Sequence, residues 1–307
     1  MRQLLHATRV RGTSPNAHVV FPRALPWRRE VSPATPSVGR ARGVESRSDQ
    51  LPQECEFFDW LFAQVGLDAR LYRSETLDRR LPACLRALHV GSAAQARRVL
   101  ERSPGLLTIA INAVLIGVTS FFRDTEVFEA LGQLLPCMIQ RTGRLHVWSM
   151  SCSDGAELYS VAMLLAEQQL LARSHLLGTD CRSTVIAEAR EGYYPPAAMD
   201  CINPERRSQH FTLQGHRWQI NASLRQSLHW KTVNLLDAFV PGCWDVILFR
   251  NTAMYMRLDA LGTLWERIEA ALRPGGLLVV GKAERPRGAK HLACIAPCIY
   301  QRPGRSA

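Results

Sequence analysis

Apolar residues recur along this chain at two different spacings, and the change between them falls near Gly143. From about Leu51 to Ile116 they follow the spacing of helices, as at Phe57, Phe58, Leu61, Phe62 and Val65. After Gly143, short apolar runs (145–150, 176–179, 246–249 and 277–280) alternate with amphipathic segments (155–172, 183–191 and 258–272). Such alternation is typical of βαβ units with a parallel sheet covered by helices. The pattern therefore predicts a small all-helical domain followed by an α/β domain.

Three segments depart from these patterns. Residues 1–50 combine five prolines with Ser and Arg and have no hydrophobic period, so we predict a disordered tail. A reading-frame extension without a role and a basic docking arm are the alternatives for this tail. Between Tyr194 and Val233 short polar pieces surround Gly215, which we interpret as an insertion near 195–232 with some β-hairpin character. The apolar run Leu106–Val118 is too short to span a membrane and is predicted to form a buried helix.

These observations divide the chain into a tail (1–50), a helical domain (51–118) and an α/β domain (119–307). The net charge of +11 changes this picture little, because the first fifty residues carry +6 of it and the other 257 residues +5. Arginine is spread evenly rather than in a stripe, so we do not expect a nucleic-acid partner.

Apolar runs and cysteine spacing bear on the compartment. No apolar run reaches the roughly 18 residues of a membrane span, and the N-terminus lacks the apolar core of a secretory signal. The nine cysteines include no CxxC pair, so we expect buried thiols rather than disulfides or a metal site. We therefore expect a cytoplasmic monomer that holds no metal and is not inserted in a membrane.

The turn after the first predicted strand is a candidate ligand site. It reads Ser149-Met150-Ser151-Cys152-Ser153-Asp154-Gly155, and its small residues let a ligand approach the backbone. It is not a GxGxxG loop, and the charge of Asp154 disfavours a pyrophosphate and favours a ligand with a cationic group. Glu157 follows in the next helix, and Asp180 ends the second strand, where acidic residues commonly bind ribose hydroxyls. Alternatively, Asp154 and Glu157 have the spacing of a helix N-cap and its reciprocal third residue.

Two further segments identify a resemblance. Gly117-Val118-Thr119-Ser120-Phe121-Phe122-Arg123-Asp124 joins the two domains, and Phe249-Arg250-Asn251-Thr252-Ala253-Met254-Tyr255 follows a predicted strand. From about Leu51 to Arg302 the sequence resembles the CheR family, the S-adenosylmethionine-dependent methyltransferases that esterify glutamate side chains on bacterial chemoreceptors. The resemblance implies a Rossmann-like doubly wound methyltransferase domain with a small inserted β-subdomain. It also implies S-adenosylmethionine as cofactor and a chemoreceptor or receptor-like protein as partner.

The resemblance assigns roles to particular residues. Glu157 would bind the methionine ammonium of the cofactor, and Asp180 its ribose. Arg123 and Tyr255 are the candidate catalytic residues, with Tyr255 beside the transferring methyl group. The implied cofactor-binding residues are Thr119, Arg123, Glu157, Asp180, Asn234, Leu235, Arg250 and Asn251.

The chemistry of methyl transfer to a carboxylate agrees with these residue types. A sulfonium cofactor that carries an amino acid needs a carboxylate such as Glu157 and donors such as Arg123. A glutamate acceptor, with a usual pKa of about 4.3, is ionised near neutrality and needs no general base. Catalysis would rest on positioning, worth up to about 7–11 kcal/mol, and on removing the carboxylate from water. The alternative is structural: Arg123 paired with Asp124 or Glu126, Tyr255 in the core, and Asn234 and Asn251 in turns.

The chain departs from the family pattern at several positions. Gly117 stands where the family usually has Asn, and Asp154 where it has Thr or Ser. Gly281-Lys282-Ala283-Glu284 stands where the family has Gly-His-Ser-Glu, and the remaining departures are Ala156, Leu158 and Met256. An acidic Asp154 is expected to repel the cofactor's carboxylate. These changes leave a catalytically weakened CheR-like signalling adaptor as an alternative function, and a methyltransferase for RNA or a small molecule as a third.

Recognition of the partner has one candidate surface in the helical domain. An acidic receptor segment could bind the arginines of a basic helix, and a solvated helix face is the alternative. The residues concerned are Arg73, Arg79, Arg80 and Arg86.

Overall fold

The computed structural model describes residues 52–115, 117, 119–235 and 244–304, which fall within one compact unit. The predicted tail, residues 1–50, lies outside the described residues. Within the described ranges, no helix combines the length and the apolar character that crossing a membrane requires.

The N-terminal region is helical. Its helices are α1 (Pro52–Ala63), α2 (Ser74–Ala87), α3 (Ala93–Arg102) and α4 (Leu107–Val114), with 3-10 turns at Ala69–Leu71 and Pro104–Leu106. Phe57, Phe58, Leu61 and Phe62 are buried in the core of this region, as their helical spacing predicted. Val65 is instead 40% exposed, because α1 ends at Ala63 and Val65 lies in the turn that follows.

The apolar run 106–118 is not one buried helix, as the sequence had suggested. Leu106 belongs to a 3-10 turn, and only Leu107–Val114 is α-helical. Leu115 is extended, with φ −82° and ψ 108°, and Ile109 is 45% exposed. Ile116 and Val118 lie outside the described residues. Because the helix ends early, the backbone at Leu115 and Gly117 is available to line a cavity.

The remaining chain forms the predicted α/β region. Its elements in chain order are α5 (Thr125–Thr142), β1 (Leu145–Met150), α6 (Ala156–Glu167), β2 (Ser174–Asp180), α7 (Ser183–Glu191), β3 (Tyr193–Tyr194), α8 (Pro204–His210), β4 (Phe211–Gln214), β5 (Arg217–Ile220), α9 (Ala222–Ser227), β6 (Leu228–Thr232), β7 (Trp244–Phe249), α10 (Leu258–Ala271), β8 (Leu272–Val280), β9 (Ala293–Ala296) and β10 (Ile299–Gln301). The main sheet has the order β6-β2-β1-β7-β8-β10-β9. The first five strands are parallel, and β10 is antiparallel to both neighbours.

The doubly wound α/β prediction is confirmed by this sheet. One apolar cluster packs α5 and α6 on the sheet, and another packs α10 on it. Strands covered on both faces have nearly continuous apolar sequences, and all six residues of β7 are buried. The connections from β1 and from β7 lead to opposite sides of the sheet. In such a sheet the ligand crevice opens beyond the carboxyl ends of the strands at this point of reversal.

The insertion ends earlier than predicted. Its β-sheet has the order β3-β5-β4, and Gly215 lies in the turn between β4 and β5 with a φ of +61°. Residues 228–232, which we had assigned to the insertion, form β6 of the main sheet and pair in parallel with β2. β6 is an edge strand with three exposed side chains, so its sequence lacks the apolar run typical of a buried parallel strand.

A short backbone contact joins the helical region to the loop after β7. Tyr72 and Met256 form an isolated antiparallel bridge. The Arg73 amide donates to Tyr255 O at 3.0 Å, and the Arg257 amide donates to Leu71 O at 2.9 Å. The segment that carries Tyr255 is therefore held against the helical region by main-chain hydrogen bonds.

Candidate functional site

A cavity lies at the carboxyl ends of β1, β2 and β7, where the sheet predicted a ligand crevice. Its volume is about 1150 Å³, including the part open to solvent, and it reaches the helical region at Leu67 and Tyr72. The structure brings to this cavity every residue to which the resemblance assigned a catalytic or cofactor-binding role. Those residues are Thr119, Arg123, Glu157, Asp180, Asn234, Leu235, Arg250, Asn251 and Tyr255.

Unusual backbone conformations shape the loops around the cavity. Five of the eight described non-glycine residues with positive φ lie in these loops: Phe122, Asp124, Ser151, Ser153 and Asn251. Such conformations cost about 1–3 kcal/mol each and cluster at functional sites. The loops therefore adopt locally unfavourable backbone conformations, and these conformations position their side chains at the cavity.

Two glycines let the first loop pack closely on the sheet. A Cβ on Gly178 would lie 2.4 Å from the Trp230 ring, and one on Gly155, whose φ is +86°, would lie 2.6 Å from it. The Trp230 ring thus packs against the loop between β1 and α6. Glycine at both positions is required by this close approach of the indole ring.

Glu157 faces the cavity and does not close the start of α6. Its Oε1 accepts a hydrogen bond from Ser149 Oγ at 2.8 Å, and its Oε2 lies 3.3 Å from Arg250 Nη1. Burial raises the pKa of Glu157, although Arg250 and Ser149 act in the opposite direction. The N-cap of α6 is Gly155, which makes no side-chain capping bond, and Asp154 Oδ1 accepts from the Ala156 amide at 3.1 Å. The reciprocal capping pair that we considered does not form.

Arg250 links Glu157 to the segment that joins the domains. Its side chain is 1% exposed, and Nη2 donates to Asp124 Oδ2 at 2.8 Å and to Arg123 O at 2.7 Å. Its guanidinium lies 5.1 Å from the centre of the Phe128 ring. Asp124, the partner that we had considered for Arg123, is thus held by Arg250, and Lys282 Nζ lies 3.5 Å from its other oxygen.

The two phenylalanines of the joining segment anchor Thr119 and Arg123. Phe121 is 0% and Phe122 4% exposed, and the Phe122 amide donates to Ser160 Oγ at 2.9 Å. The Phe121 ring centre lies 4.6 Å from that of Tyr194. With the aromatic rings fixed in the core, the half-buried Thr119 and Arg123 lie at the cavity wall.

Asn251 is held by a residue that the sequence had shown only as part of a matching segment. The buried Glu284 accepts from the Asn251 amide and from the Gly281 amide, each at 2.8 Å. Asn tolerates the left-handed conformation, here with φ +57°. On the opposite wall, Asn234 Nδ2 donates to Gly66 O at 3.1 Å and so connects the site to the helical region.

Asp180 ends β2 as predicted, but it is engaged by residues that the sequence analysis had missed. Its carboxylate is 5% exposed and accepts from the Ser153 amide at 3.0 Å. Arg182 forms an ion pair with it at 3.0 Å, and the Arg182 side chain is 9% exposed. An arginine two residues after a strand-ending aspartate was the available signal in the sequence.

The departures from the family pattern lie mostly outside the cavity wall. Gly117 and Met256 line the cavity, whereas the other departures are not among its lining residues: Asp154, Ala156, Leu158, Lys282 and Ala283. The expected repulsion between Asp154 and a ligand is therefore not supported by its position. Burial raises the pKa of Asp154 to about 6.

The expectation of buried thiols is wrong for part of the chain. Cys84 and Cys152 are buried, but Cys137, Cys201 and Cys294 are exposed, and none of these is in a disulfide. Burial follows the position of each cysteine on its element rather than its apolar character. In the described part of the chain, no group of three or more His, Cys, Asp or Glu residues is arranged to hold a metal ion.

A doubly wound sheet with a carboxylate-lined cavity at its point of reversal defines a Rossmann-like α/β protein that binds a ligand beyond the strand ends. Residues 117–298, more than half of the chain, match the family described as "CheR methyltransferase, SAM binding domain". The chain belongs to this family, and it is an S-adenosylmethionine-dependent methyltransferase.

Relatives with curated names agree with this assignment. "Chemotaxis protein methyltransferase 1" of Pseudomonas aeruginosa is 32% identical over 67% of this chain and 81% of its own length. "Chemotaxis protein methyltransferase 2" of the same organism is 31% identical over 78% of this chain and 89% of its own length. "Chemotaxis protein methyltransferase" of Listeria monocytogenes is 28% identical over 72% of this chain and 85% of its own length.

Proposed function

We propose that this protein transfers a methyl group from S-adenosylmethionine to glutamate side-chain carboxylates of a chemoreceptor or receptor-like protein, forming methyl esters. The observation that carries the proposal is the convergence of Thr119, Arg123, Glu157 and Tyr255 on one cavity. The names of the chemotaxis relatives support the choice of partner.

The cavity residues fit the cofactor at its amino-acid end. Glu157 is a buried carboxylate suited to an ammonium group, and Arg123 supplies donors for a carboxylate. The buried Arg250 Nε has no hydrogen-bond partner in the described part of the chain, which leaves one more donor near Glu157. Asn234 and Leu235 are the candidates for the nucleoside end. When bound, the cofactor supplies an electrophilic methyl group on a sulfonium centre.

Arg123 and Tyr255 are proposed to hold the acceptor carboxylate. Both line the cavity, and Tyr255 is half-buried at the loop that the helical region contacts through Tyr72 and Met256. Neither has to act as a base, because a glutamate side chain is ionised near neutrality. Their role is to orient the carboxylate and to exclude water from it.

Recognition of an acidic receptor segment is proposed to use only part of the predicted arginine set. The Arg73 guanidinium donates to Met256 O at 3.0 Å, and Arg80 donates to Ala113 O. The guanidinium groups of these two arginines are thus engaged in hydrogen bonds within the protein. Arg79 and Arg86 are exposed, lie seven positions apart on α2 and therefore share one face of the helix. They are the residues proposed to contact the partner.

The test has two stages. Titration calorimetry first measures S-adenosylmethionine binding, and labelled methyl transfer to receptor cytoplasmic domains follows. We expect base-labile label in the receptor, lost in Arg123→Ala and retained in Arg98→Ala, a control arginine exposed on α3. Tight cofactor binding without transfer to any carboxylate would contradict the proposal.

The adaptor alternative has one observation in its favour. Both acidic residues of the cavity are already paired, Glu157 with Arg250 and Asp180 with Arg182. If these pairs exclude the cofactor, no binding will be detected even at about millimolar S-adenosylmethionine, which corresponds to roughly −4 kcal/mol. Robust turnover would remove this alternative.

A further inference from the structure

The wall of the cavity beyond β2 is formed by Arg182. Its Nε donates to Asp180 Oδ1 at 3.0 Å, and its Nη2 donates to Asp180 Oδ2 at 3.3 Å. Both residues line the cavity; Asp180 is buried, and the Arg182 side chain is 9% exposed. Burial acts to lower the pKa of Arg182, but the Asp180 carboxylate outweighs it and raises that pKa. Arg182 therefore keeps its charge, and it lies at the place where Asp180 was expected to bind a ribose.

The acceptor positions of Asp180 are fully used. Oδ1 accepts from the Arg182 amide and from Arg182 Nε, both at 3.0 Å. Oδ2 accepts from the Ser153 amide at 3.0 Å and from Arg182 Nη2. An ionised carboxylate offers about four lone-pair positions. A ribose hydroxyl that donated to Asp180 would have to displace one of these hydrogen bonds.

Among the described residues, one N–H group of Arg182 has no hydrogen-bond acceptor. Of the five N–H groups of a guanidinium, Nε uses one on Asp180, and Nη2 uses two, on Asp180 and on Ser153 Oγ at 3.3 Å. Nη1 donates to Leu115 O at 3.3 Å. Within the described residues, one N–H of Nη1 therefore remains for an acceptor at the cavity wall.

Gly117 leaves room for the Arg182 guanidinium at this position. A Cβ on Gly117 would lie 2.8 Å from Nη1 and Nη2 of Arg182 and 2.7 Å from Ser153 Oγ. The Ser153 hydroxyl also donates to Gly117 O at 3.1 Å. The guanidinium thus occupies the space that a side chain at position 117 would take, between the joining segment and the end of β2.

We propose that Arg182 determines how the cavity recognises the ribose of the cofactor, with a hydroxyl oxygen accepting from Arg182 instead of a hydroxyl donating to Asp180. This inference rests on the proposed use of S-adenosylmethionine. It means that this end of the cavity presents a cationic donor. Ribose groups that accept hydrogen bonds are tolerated there, and cationic groups are rejected.

The test compares adenosine with analogues in which the 2′- or the 3′-hydroxyl is replaced by an amino group. Each competes with S-adenosylhomocysteine, whose own affinity is measured first by calorimetry. We expect the wild-type protein to bind the amino analogues at least about 10-fold more weakly than adenosine, because like charges face each other. In Arg182→Ala the freed Asp180 carboxylate should reverse this preference.

Arg273→Ala is the matched control. Arg273 pairs at 2.9 Å with Asp245, whose side chain is 3% exposed, at the amino ends of the strands. This variant should lose stability without changing the preference among the nucleosides. If Arg182→Ala does not fold, Arg182→Gln, which keeps a donor but no charge, should give an intermediate preference.

Equal preference in wild type and both Arg182 variants, or tighter binding of the amino analogues by the wild type, would overturn the inference alone. A wild-type protein that binds no S-adenosylhomocysteine would contradict the proposed function, and this inference with it.

Discussion

The two ends of the parallel strands each hold a buried aspartate paired with an arginine, but only the pair at the carboxyl end lines the cavity described above. At the carboxyl end Asp180 pairs with Arg182 on the cavity wall. At the amino end Asp245 accepts from Arg273 Nη1 at 2.9 Å and from the His146 amide at 2.8 Å. Neither Asp245 nor Arg273 lines the cavity.

The difference lies in the loops rather than in the charges. The carboxyl-end pair is flanked by loops with positive φ, at Ser151, Ser153 and Asn251. The amino-end pair begins regular strands, and the histidines beside it pack ring to ring. His146 and His175 have centres 5.8 Å apart, and His175 and His229 4.8 Å. A buried ion pair therefore indicates a ligand site only where the surrounding backbone leaves room for the ligand.

The largest change in the free energy of unfolding is expected for a substitution at the amino end. Asp245→Ala removes the partner of Arg273 and an acceptor of the His146 amide, so we expect a loss of about 3 kcal/mol in the free energy of unfolding. Denaturant unfolding measures this loss. Affinity for S-adenosylhomocysteine should stay within about 2-fold of wild type, and a parallel fall in affinity would show that the two ends are coupled.

At the carboxyl end, Glu157→Gln should instead weaken ligand binding and leave the stability unchanged. Gln still accepts from Ser149 Oγ but carries no charge, so affinity for S-adenosylhomocysteine should fall about 10- to 100-fold. Since burial raises the pKa of Glu157, the variant should not lose stability. Calorimetry and thermal unfolding together check this, and unchanged affinity would remove Glu157 from the proposed site.

Asp154→Asn tests a carboxylate beside the cavity. The pKa of Asp154 is raised by burial to about 6, so between pH 4 and 6 the folded chain binds a proton that the unfolded chain has released. Its charged form therefore destabilises the fold above pH 6. We expect Asn to add about 2–3 kcal/mol at pH 8, about half of this near pH 5 and almost nothing below about pH 4, taking about 1.4 kcal/mol per pH unit within that window. A gain independent of pH would contradict this origin.

The smallest effect is expected for His175 at the amino end. Burial, and then its neighbours His229 and His146, lower the pKa of His175 to about 4. Between about pH 6.5 and 4 the unfolded chain binds a proton that the folded chain does not, so stability falls as the pH falls. His175→Gln removes this titrating group, so the stability lost between pH 7 and pH 5 in urea titrations should be smaller than in the wild type, by up to about 1 kcal/mol. A larger acid loss in the variant would contradict the prediction.

The sequence predicted the elements whose side chains repeat with a clear period. β1 (Leu145–Met150) and α7 (Ser183–Glu191) have the predicted bounds, because one is a buried apolar run and the other a capped amphipathic segment. β6 was not predicted as a strand of the main sheet, because it is an edge strand whose sequence includes exposed polar side chains. The candidate residues meet at one cavity because parallel strands end at the same side of the sheet.

Contacts between distant segments could not be predicted in the same way. Arg182 reaches Leu115 across 67 positions, and Glu284 holds the Asn251 amide across 33. No local pattern encodes such pairs, since each depends on where the folded backbone brings two loops. The same holds for Gly117, where a side chain would meet both the Arg182 guanidinium and the Ser153 hydroxyl.

The bridge between Tyr72 and Met256 has a consequence for engineering. A chimera that exchanges the helical region between relatives could be cut in the joining segment, residues 117–124. Here the Arg73 amide and the Leu71 carbonyl bond the main chain of Tyr255 and Arg257. Because main-chain groups make these bonds, they tolerate changes of side chain but not a shift in position. A transplanted helical region should therefore keep the length of its segment around residues 71–73, whatever its sequence.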